Sequence, residues 1–350
     1  MKNYLNSILL LERNPVLDLF RALAILMVVE VHFFSHYSIA PFSYILDQGA
    51  LGVDIFFVLS GFLVGRSPIK QLLSGGKQKF KTFYIKRFFK IIPSFYFAII
   101  FSFILYNYIL PLPIKNFDAN ELVYYFTFTQ NYSGSNVLFH AWSLCVEEHF
   151  YLLLPFSLFI VSLITNKKPK AILYVLITIA ISGYLFRYIG VQLNMETYAG
   201  THNRIDALAL GVLLAYLDII KHPFINQGNK NSSKSIRIIA FGILLFILGL
   251  VLGAVKINYN DTITIIEVFY HGLIPLSVFI VLSQILHRKI KLPTWIKLSS
   301  YFSYNWYLWH YILVYCFLHY FPDSKIIFIP YVLFTFVIGV LTTYFIEEPF

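Results

Sequence analysis

The sequence predicts an all-α, polytopic integral membrane protein with about ten transmembrane helices, and three observations support this class. Hydrophobic residues make up 58% of the 350 residues and charged residues only 13%, whereas soluble domains carry about 25% charged residues. The mean hydropathy is +0.71. Apolar runs of membrane-spanning length recur along the whole chain. We therefore expect a single membrane domain over residues 1–350.

Ten apolar runs are long enough to cross a hydrocarbon core of about 30 Å, which takes about 20 helical residues. They cover residues 16–37, 50–67, 91–110, 142–164, 171–190, 203–220, 236–255, 264–286, 299–319 and 326–346. Cys145 and Cys316 fall inside these runs, where a thiol usually behaves as a small core group. The sequence shows no metal-binding spacing, so we expect no metal site.

Lysine and arginine fall almost entirely on one side of the predicted helices. If the helices alternate in direction, 21 of the 27 lysine and arginine residues lie on the side of the N-terminus, and the other side holds only Lys115, Lys256 and Lys325. Cytoplasmic loops carry such an excess, so both termini are predicted to be cytoplasmic. This distribution also explains the formal net charge of +10 without nucleic acid. The predicted location is the inner (plasma) membrane.

The first predicted span carries an arginine and a histidine on one helix face. Arg21 and His32 are eleven residues apart; such a spacing returns to within about 20° of the same direction and separates the two by roughly 16 Å in depth. Ionisable groups inside a bilayer usually face the protein interior or a wet cavity. The spacing therefore indicates a buried site, with the alternative that Asp18 simply neutralises Arg21.

The buried ionisable residues fall into two layers. The outer layer comprises His32, Asp54, Glu147, Glu148, Arg204, Asp206, Glu267 and His271. The cytoplasmic layer comprises Lys86, Arg87 and Lys90. The outer layer predicts a functional site, although each residue alone could form a structural ion pair. The basic layer suits a phosphorylated cytosolic ligand or, alternatively, anionic lipid.

His32 is the natural general base of the outer layer, because imidazole accepts protons near neutral pH. A neighbouring carboxylate, Asp54 or Glu147, would orient the ring and stabilise the imidazolium. In the alternative, the ring only bonds a facing backbone carbonyl. In this hypothesis an anionic donor is bound on the cytoplasmic side and the acceptor comes from the outer side. The reaction would then take place across the membrane.

Seven segments in order resemble the membrane-bound acyltransferase-3 family, which includes bacterial O-antigen and peptidoglycan O-acetylases. They are the Arg21/His32 spacing, GVDIFFVLSGFLVG (52–65), KRFFKIIP (86–93), WSLCVEEHFYLLLP (142–155), RIDALALGVLLA (204–215), SYNWYLWH (303–310) and the terminal FIEEPF. The resemblance covers essentially the whole chain. Lys86 and Lys90 replace arginines of the family pattern, Cys145 stands where serine is common, and Asn305 interrupts the usual motif.

The resemblance implies a transmembrane O-acyltransferase that moves an acyl group, usually acetyl, from cytosolic acyl-CoA to a carbohydrate hydroxyl. It implies acetyl-CoA as co-substrate and no tightly bound cofactor. By matching position, the catalytic residues would be His32, Arg21, Asp54 and Glu147, and the CoA contacts would be Arg87, Lys86 and Lys90. Substrate contacts are expected from Trp142, Ser143, Glu148, Arg204 and Asp206. Some relatives carry an extracellular SGNH hydrolase-like domain, and we expect none here.

Several alternatives stay open at this point. Direct transfer is favoured over a ping-pong route in which the acyl group rests on His32 or Ser143. The acceptor could be O-antigen, peptidoglycan or another envelope or exported carbohydrate. Asn131, Tyr132 and Asn136 of the long outer loop are candidate sugar contacts, with loop solvation as the alternative. A transporter or flippase of polysaccharide intermediates or acyl groups is the main rival function, and a sensory or structural membrane protein is a further one.

Overall fold

The computed structural model is built from helices over the residues that it describes, which are 1–35, 51–74, 80–110, 117–134, 137–164, 169–226, 232–258, 264–322 and 324–349. Helix accounts for 84% of the structure, and no strand occurs among these residues. The prediction of an all-α fold is confirmed. The ends of the first two predicted spans, at 36–37 and 50, lie outside the described residues, as do Lys115 and Asn136.

The described chain forms thirteen α-helices, with a long helix at the position of each predicted span. They are α1 (Lys2–Leu9), α2 (Pro15–Phe34), α3 (Leu51–Leu73), α4 (Phe80–Ile104), α5 (Glu121–Phe126), α6 (Gln130–Ser133), α7 (Trp142–Ile164), α8 (Pro169–Gln192), α9 (Thr201–Ile219), α10 (Ser233–Asn258), α11 (Thr264–Ile285), α12 (Thr294–Tyr320) and α13 (Phe328–Thr342). Helices α4 and α13 continue into π-helical turns at Leu105–Ile109 and Thr343–Glu347. The 3₁₀ turns Phe139–Ala141 and Lys325–Ile327 precede α7 and α13.

Seven helical segments of the described chain are long and apolar enough to cross a membrane, and they contain α3, α4, α7, α8, α10, α11 and α13. The other three predicted spans, α2, α9 and α12, have 20, 19 and 27 residues but more polar sequences. Helices α2 and α9 each carry three charged residues, and α12 carries the SYNWYLWH motif. The chain is a multi-pass membrane protein, while about ten crossings and cytoplasmic termini stay predictions.

The polar helices lie at the centre of the bundle. Helix α9 packs against α3, α8 and α11, and α2 packs between α3 and α12. In α3, 72% of the membrane-spanning segment is buried inside the protein. In α10, which packs against α11, the buried share is only 17%. The apolar helices therefore separate the charged ones from lipid, as the cost of ions in hydrocarbon requires.

The register of α2 is set at its first turn. The side-chain oxygen of Asn14 accepts hydrogen bonds from the backbone N–H groups of Val16 (2.9 Å) and Leu17 (3.3 Å). Pro15 occupies the first helical position, where no backbone donor is needed. The Asn14 side-chain amide also donates to the carbonyl of Leu286 (2.9 Å), just after α11. This cap fixes α2 against its neighbour and so determines where Arg21 and His32 point.

Helices α3 and α9 approach so closely that only glycine fits at their contact. A Cβ atom at Gly61 would clash with the carbonyl of Leu208, and one at Gly211 with the carbonyl of Val58. Small residues permit this approach between membrane helices. The contact matters for function because α3 and α9 carry Asp54 and Arg204.

Replacing Gly211 by valine is expected to force α3 and α9 apart. Overpacking of a close-packed contact costs about 1–3 kcal/mol, so the melting temperature of the purified protein should fall. Intrinsic tryptophan fluorescence during heating in detergent measures it. Ala240→Val, at an exposed position of α10, is the matched control and should melt with the wild type. A Gly211→Val protein that also melts with the wild type would contradict the close contact.

Candidate active site

Three histidines and two tyrosines meet between α2, α12 and the turn before α7. Nδ1 of His32 lies 3.0 Å from Nε2 of His310. The ring of His140 stacks on Tyr311 with centroids 4.5 Å apart and lies 5.6 Å from that of His310. Tyr307 donates its hydroxyl proton to the carbonyl of His140 at 2.5 Å. We call these five residues the histidine cluster.

The hydrogen bonds of the cluster determine where the ring protons of His32 and His310 sit. Nδ1 of His310 lies 2.6 Å from the carbonyl of Tyr307, and Nδ1 of His32 lies 2.9 Å from that of Val28. A carbonyl only accepts, so both Nδ1 atoms carry protons. Nε2 of His310 then accepts from Nδ1 of His32, and the lone pair of His32 lies on Nε2. This is the tautomer that a general base acting through Nε2 needs.

The imidazole of His32 therefore turns toward the bundle interior, as the sequence predicts. Its orienting group differs from the expectation, however. In the described part of the chain, His310 contacts His32, whereas Asp54 and Glu147 bond elsewhere. The proposed alternative, a bond from the ring to a backbone carbonyl, is present as well, at Val28.

A cavity of about 130 Å³ runs between α2, α3, α4, α7 and α12. Arg21, Arg87 and Lys90 line it, and so do Ser143 and Tyr307. The cavity follows α7 over two turns, from Ser143 to Tyr151, or roughly 12 Å. We call it the basic cavity. Because Tyr307 lines its far end and packs against His140 and His310 with ring centroids 5.3 and 5.4 Å apart, the cavity reaches the histidine cluster at Tyr307, whose side chain lies between the cavity and these two histidines.

Arg21 stands between the basic cavity and a second cavity of about 400 Å³ that Arg13, Arg66 and His287 help to line. Asp18 forms its ion pair with Arg13 at 2.6 Å and accepts a hydrogen bond from Ser300 at 2.7 Å. Arg21 itself has no ion pair or hydrogen bond with the rest of the described chain. The alternative that Asp18 neutralises Arg21 is therefore wrong as to the ion pair, and the guanidinium faces the cavities.

The three basic residues of KRFFKIIP do not share one environment, contrary to the prediction of a common clamp. Arg87 lines the basic cavity and lies over the ring of Tyr151, 5.4 Å from its centroid. Lys90 lines the cavity too and forms an ion pair with Glu347. Lys86 is exposed and does not line the cavity, because it lies one position away from Arg87 on the helix surface.

Asn305, which departs from the family pattern, has a defined role in this arrangement. Its side-chain amide donates to Glu347 at 2.6 Å and to Thr343 at 2.9 Å. Glu347 belongs to the terminal FIEEPF segment and pairs with Lys90. Asn305 therefore holds the carboxylate that pairs with Lys90, a residue of the basic cavity.

The carboxylates of the outer layer have separate partners. Glu147 lines the basic cavity and accepts hydrogen bonds from Ser60 (2.6 Å) and Tyr151 (2.9 Å). Asp54 forms a buried ion pair with Arg204. Glu148 has a buried side-chain oxygen with no hydrogen-bond partner among the described residues. Of the described outer-layer carboxylates, Glu147 is thus the one that lines the cavity predicted to receive the donor.

Two residues that were expected to touch substrate are held in buried ion pairs instead. Arg204 pairs with Asp54, and Asp206 pairs with Arg187 at 2.7 Å, with all four side chains at most 2% exposed. Their partners make the structural interpretation of Arg204 and Asp206 the stronger one. Ser143 and Trp142 do line cavities, so their substrate contacts stay predictions. The side chain of Glu267 lies outside the described part.

Sequence reasoning missed His140, His310 and Arg187 as parts of this core. His310 lies 16 residues beyond the start of α12, which at about 1.5 Å per residue gives it a depth in the outer half. The depth rule that singled out His32 would therefore have found His310. His140 gave no such signal, because it precedes α7 in a predicted loop.

Five of the seven segments contribute to the lining of the basic cavity, namely the Arg21/His32 pair through Arg21, GVDIFFVLSGFLVG, KRFFKIIP, WSLCVEEHFYLLLP and SYNWYLWH. Over residues 14–348 the chain matches the family described as an acyltransferase domain. The chain belongs to the acyltransferase-3 family. The resemblance predicted from the motifs is thus confirmed, and in this acyltransferase-3 chain the motifs are brought together by folding around one cavity.

Similar proteins have longer chains. The acyltransferase-3 chain is 27% identical over 358 residues to O-acetyltransferase OatA of Staphylococcus aureus strains NCTC 8325 / PS 47 and COL. It is 28% identical over 361 residues to a protein of Staphylococcus aureus strain COL that is provisionally named an O-acetyltransferase. Each alignment covers 96% of this chain and 57% of the relative, so the chain spans little more than half their length. No solved structure matches it.

Proposed function

We propose that this protein transfers an acyl group, usually acetyl, from cytosolic acyl-CoA to a hydroxyl of a cell-envelope glycan. Family membership and the names of the O-acetyltransferase relatives support the reaction class. The observation that carries the proposal is the basic cavity, since it extends from Arg21, Arg87 and Lys90 to the layer of side chains beside His32 and His310. In this proposal the protein lies in the bacterial inner membrane with its basic end in the cytoplasm.

Only the acyl end of the donor fits into the basic cavity. A cavity of about 130 Å³ is too small to enclose a nucleotide. An acyl thioester on a thin arm can enter such a space, whereas the nucleotide of CoA must stay at the mouth. There Arg87 and Lys90 would bind its phosphates, since charge-assisted bonds to phosphate are short and strong. When the anionic donor binds, its phosphate would replace Glu347 as the ion-pair partner of Lys90.

His32 is the base in this proposal. Nε2 of His32 removes the proton from the glycan hydroxyl, and the oxygen attacks the carbonyl carbon of the thioester. The tetrahedral intermediate collapses with cleavage of the carbon–sulfur bond, and the CoA thiolate takes the proton back from the imidazolium. His310 accepts the Nδ1 proton of His32 as a hydrogen bond throughout, which keeps the ring in the reactive tautomer and stabilises its charged form.

A ping-pong route through Ser143 has less support. The Ser143 hydroxyl lies 2.7 Å from the hydroxyl of Tyr307 and 3.4 Å from the carbonyl of His140. Neither partner is a base that could activate a serine nucleophile, because one is a backbone carbonyl and the other is the phenol of Tyr307, which already donates to that carbonyl. Direct transfer therefore remains the proposed route.

Purified protein in lipid nanodiscs tests the proposal directly. With acetyl-CoA labelled in the acetyl group, we expect label on an added oligosaccharide and slow release of labelled acetate without one. Ester formation is read by mass spectrometry. Donor that stays intact with and without oligosaccharide would exclude this reaction.

Arg87→Ala is expected to raise the KM for acyl-CoA about ten- to hundredfold, because a hydrogen bond to a charged group contributes about 1.5–3 kcal/mol. Donor-concentration series of the transfer rate measure this. Lys86→Ala should raise KM less, since Lys86 does not line the basic cavity. Lys81→Ala, at an exposed position of the same helix, is the control. An equal KM in the Arg87 and Lys81 variants would remove Arg87 from the donor site.

A further inference from the structure

A cavity of about 410 Å³ lies beside the segment that joins α1 to α2. Its walls are formed by the end of α1, the start of α2, the residues between α11 and α12, and the first turn of α12. We call it the N-terminal cavity. Arg13 and Asp18 also line the second cavity beside Arg21. None of the functional roles derived above uses the N-terminal cavity.

The charged lining of the N-terminal cavity contains two lysines that the described chain does not neutralise. Arg13 and Asp18 neutralise each other, because Nε and Nη2 of Arg13 donate to the two carboxylate oxygens of Asp18 at 3.1 and 2.6 Å. Lys291 and Lys297 also line the cavity, and neither forms an ion pair with the described residues. Their positive charges favour an anionic ligand.

The wall that carries Lys297 is held in place by Arg13. Nη2 of Arg13 donates to the backbone carbonyl of Lys297 at 3.1 Å as well as to Asp18. The guanidinium also lies over the ring of Tyr301, 5.3 Å from its centroid. Arg13 therefore joins the start of α2 to α12, and the N-terminal cavity is a preformed part of the fold.

The remaining lining of the N-terminal cavity is apolar. It consists of Ile8, Leu11, Pro15, Ile290 and Leu292. Leu11 is 51% exposed, and the nearby Leu10 and Trp295 are 83% and 55% exposed. Exposed apolar and tryptophan side chains beside lysines are typical of the membrane–water interface. A soluble anion would leave this apolar wall in contact with water, whereas a ligand with an anionic head group and a hydrocarbon chain would cover it.

The N-terminal cavity lies at the end of the bundle where α2 and α12 both begin. These helices run in the same direction, because Asp18 accepts a hydrogen bond from Ser300 (2.7 Å) near their starts and His32 meets His310 (3.0 Å) further along. Both helices are predicted spans, and the ends of spans lie at the level of the lipid head groups. The cavity is therefore within reach of lipid.

Helix α1 is fixed across the same end of the bundle. The ring of Tyr4 packs against those of Tyr344 and Phe302, with centroids 4.8 and 6.4 Å apart. Its hydroxyl donates to Glu348 at 3.1 Å. These contacts hold α1 beside α12, so that Ile8 and Leu11 face the segment that carries Lys291 across the cavity.

We propose that the N-terminal cavity binds one phospholipid with an anionic head group, taken from the leaflet on the side of the N-terminus. Lys291 and Lys297 bind its phosphate, and the apolar wall that includes Leu11 contacts its acyl chain. Basic pockets at the ends of membrane helices bind such head groups. The site is independent of the proposed function, since the lipid is neither the donor nor the acceptor of the acyl group.

Native mass spectrometry of the delipidated protein in detergent tests the site. The probes are dioleoyl phosphatidylglycerol and, with the same chains but no net charge, dioleoyl phosphatidylcholine. The first phosphatidylglycerol should bind about tenfold tighter than phosphatidylcholine. Lys291→Gln and Lys297→Gln should each weaken its binding about fivefold, the contribution of one lysine near anionic lipid. Lys289→Gln, exposed and outside the cavity, is the matched control.

A second pair of variants tests the apolar wall. Leu11→Asn should weaken the binding of both lipids about threefold, because it removes part of the apolar contact. Leu10→Asn, at the adjacent position outside the cavity lining, should bind both lipids as the wild type does. Melting temperatures are measured for all variants. If Lys297→Gln melts earlier than the wild type, Lys291→Gln alone decides the role of charge.

Each outcome supports or overturns a defined part of the proposal. Weaker binding of phosphatidylglycerol in the cavity variants, with wild-type binding in both controls, supports the site. Equal affinity of the wild type for the two lipids would overturn the anionic head group. Wild-type binding by both cavity lysine variants, or an equal loss in Lys289→Gln, would overturn the site. Unchanged binding by Leu11→Asn would remove the acyl chain from it. Displacement of the lipid by an equal concentration of inorganic phosphate would indicate a site for soluble anions instead.

Discussion

Replacing His32 by glutamine is expected to lower the acyl-transfer rate about 10²- to 10⁴-fold, the usual contribution of a general base. Glutamine keeps a polar side chain of similar size but cannot accept the hydroxyl proton. The KM for acyl-CoA should change little, because Arg87 and Lys90 lie near the opposite end of the basic cavity. Initial rates of transfer from labelled acetyl-CoA, with the protein in nanodiscs, measure both parameters.

Two further histidine variants test whether the loss of transfer rate is specific to position 32. His319→Gln, at an exposed position of α12, should transfer at the wild-type rate. His310→Gln should lower kcat less than His32→Gln does and change the pH profile of kcat, since it alters the group that accepts the Nδ1 proton of His32. Wild-type transfer by His32→Gln would show that another group removes the hydroxyl proton.

Asp54→Asn is expected to destabilise the folded protein by about 3–5 kcal/mol, the typical cost of leaving one partner of a buried ion pair uncompensated. The side chains of Asp54 and Arg204 are 1% and 2% exposed, so water cannot replace the lost charge. The guanidinium of Arg204 also lies among the rings of Phe57, Trp142 and Tyr198, at 5.9, 5.6 and 5.4 Å from their centroids. Chemical unfolding in detergent micelles measures the loss.

The second partner tests whether the charge itself is the cause. Removing both charges, in Asp54→Asn with Arg204→Met, should recover part of the stability lost in the single variant. Asp118→Asn, at an exposed position, is the control for changing one carboxylate. If the single and double variants unfold alike, the pair is not the source of the stabilisation, and Asp54 must be considered for a direct role in the reaction.

The fold was largely predictable because the hydrophobic effect leaves long apolar runs in a membrane protein. Each of the ten runs corresponds to a long helix, including α2 and α9, whose charged residues exclude them from a simple hydropathy criterion. The short helices α1, α5 and α6 were not predicted. Their eight, six and four residues are too few for a periodic pattern, and such helices depend on tertiary contacts.

The site was predictable in depth but not in direction. Position along a span gives the depth of Asp54 and Arg204, yet it does not tell which side chains face each other. The sequence therefore placed His32 and Arg21 correctly on an inward surface, but it could not distinguish the Asp54–Arg204 pair from a carboxylate that orients His32. The split between Arg87 and Lys86 has the same origin, since adjacent residues on a helix point in directions about 100° apart.

The layer formed by Tyr307 has a consequence for the cell as well as for the reaction. In the proposed function the two reactants come from opposite sides of the membrane, and protons or salt must then not leak between the two water phases, because each elementary charge that crosses dissipates about 2.3 kcal/mol per 100 mV. The Tyr307 hydroxyl is bonded to the carbonyl of His140 and to Ser143, so its side chain is held at the end of the basic cavity nearest His140 and His310. In the proposed reaction, a side chain held in this way would limit the flow of ions between the two water phases during acyl transfer.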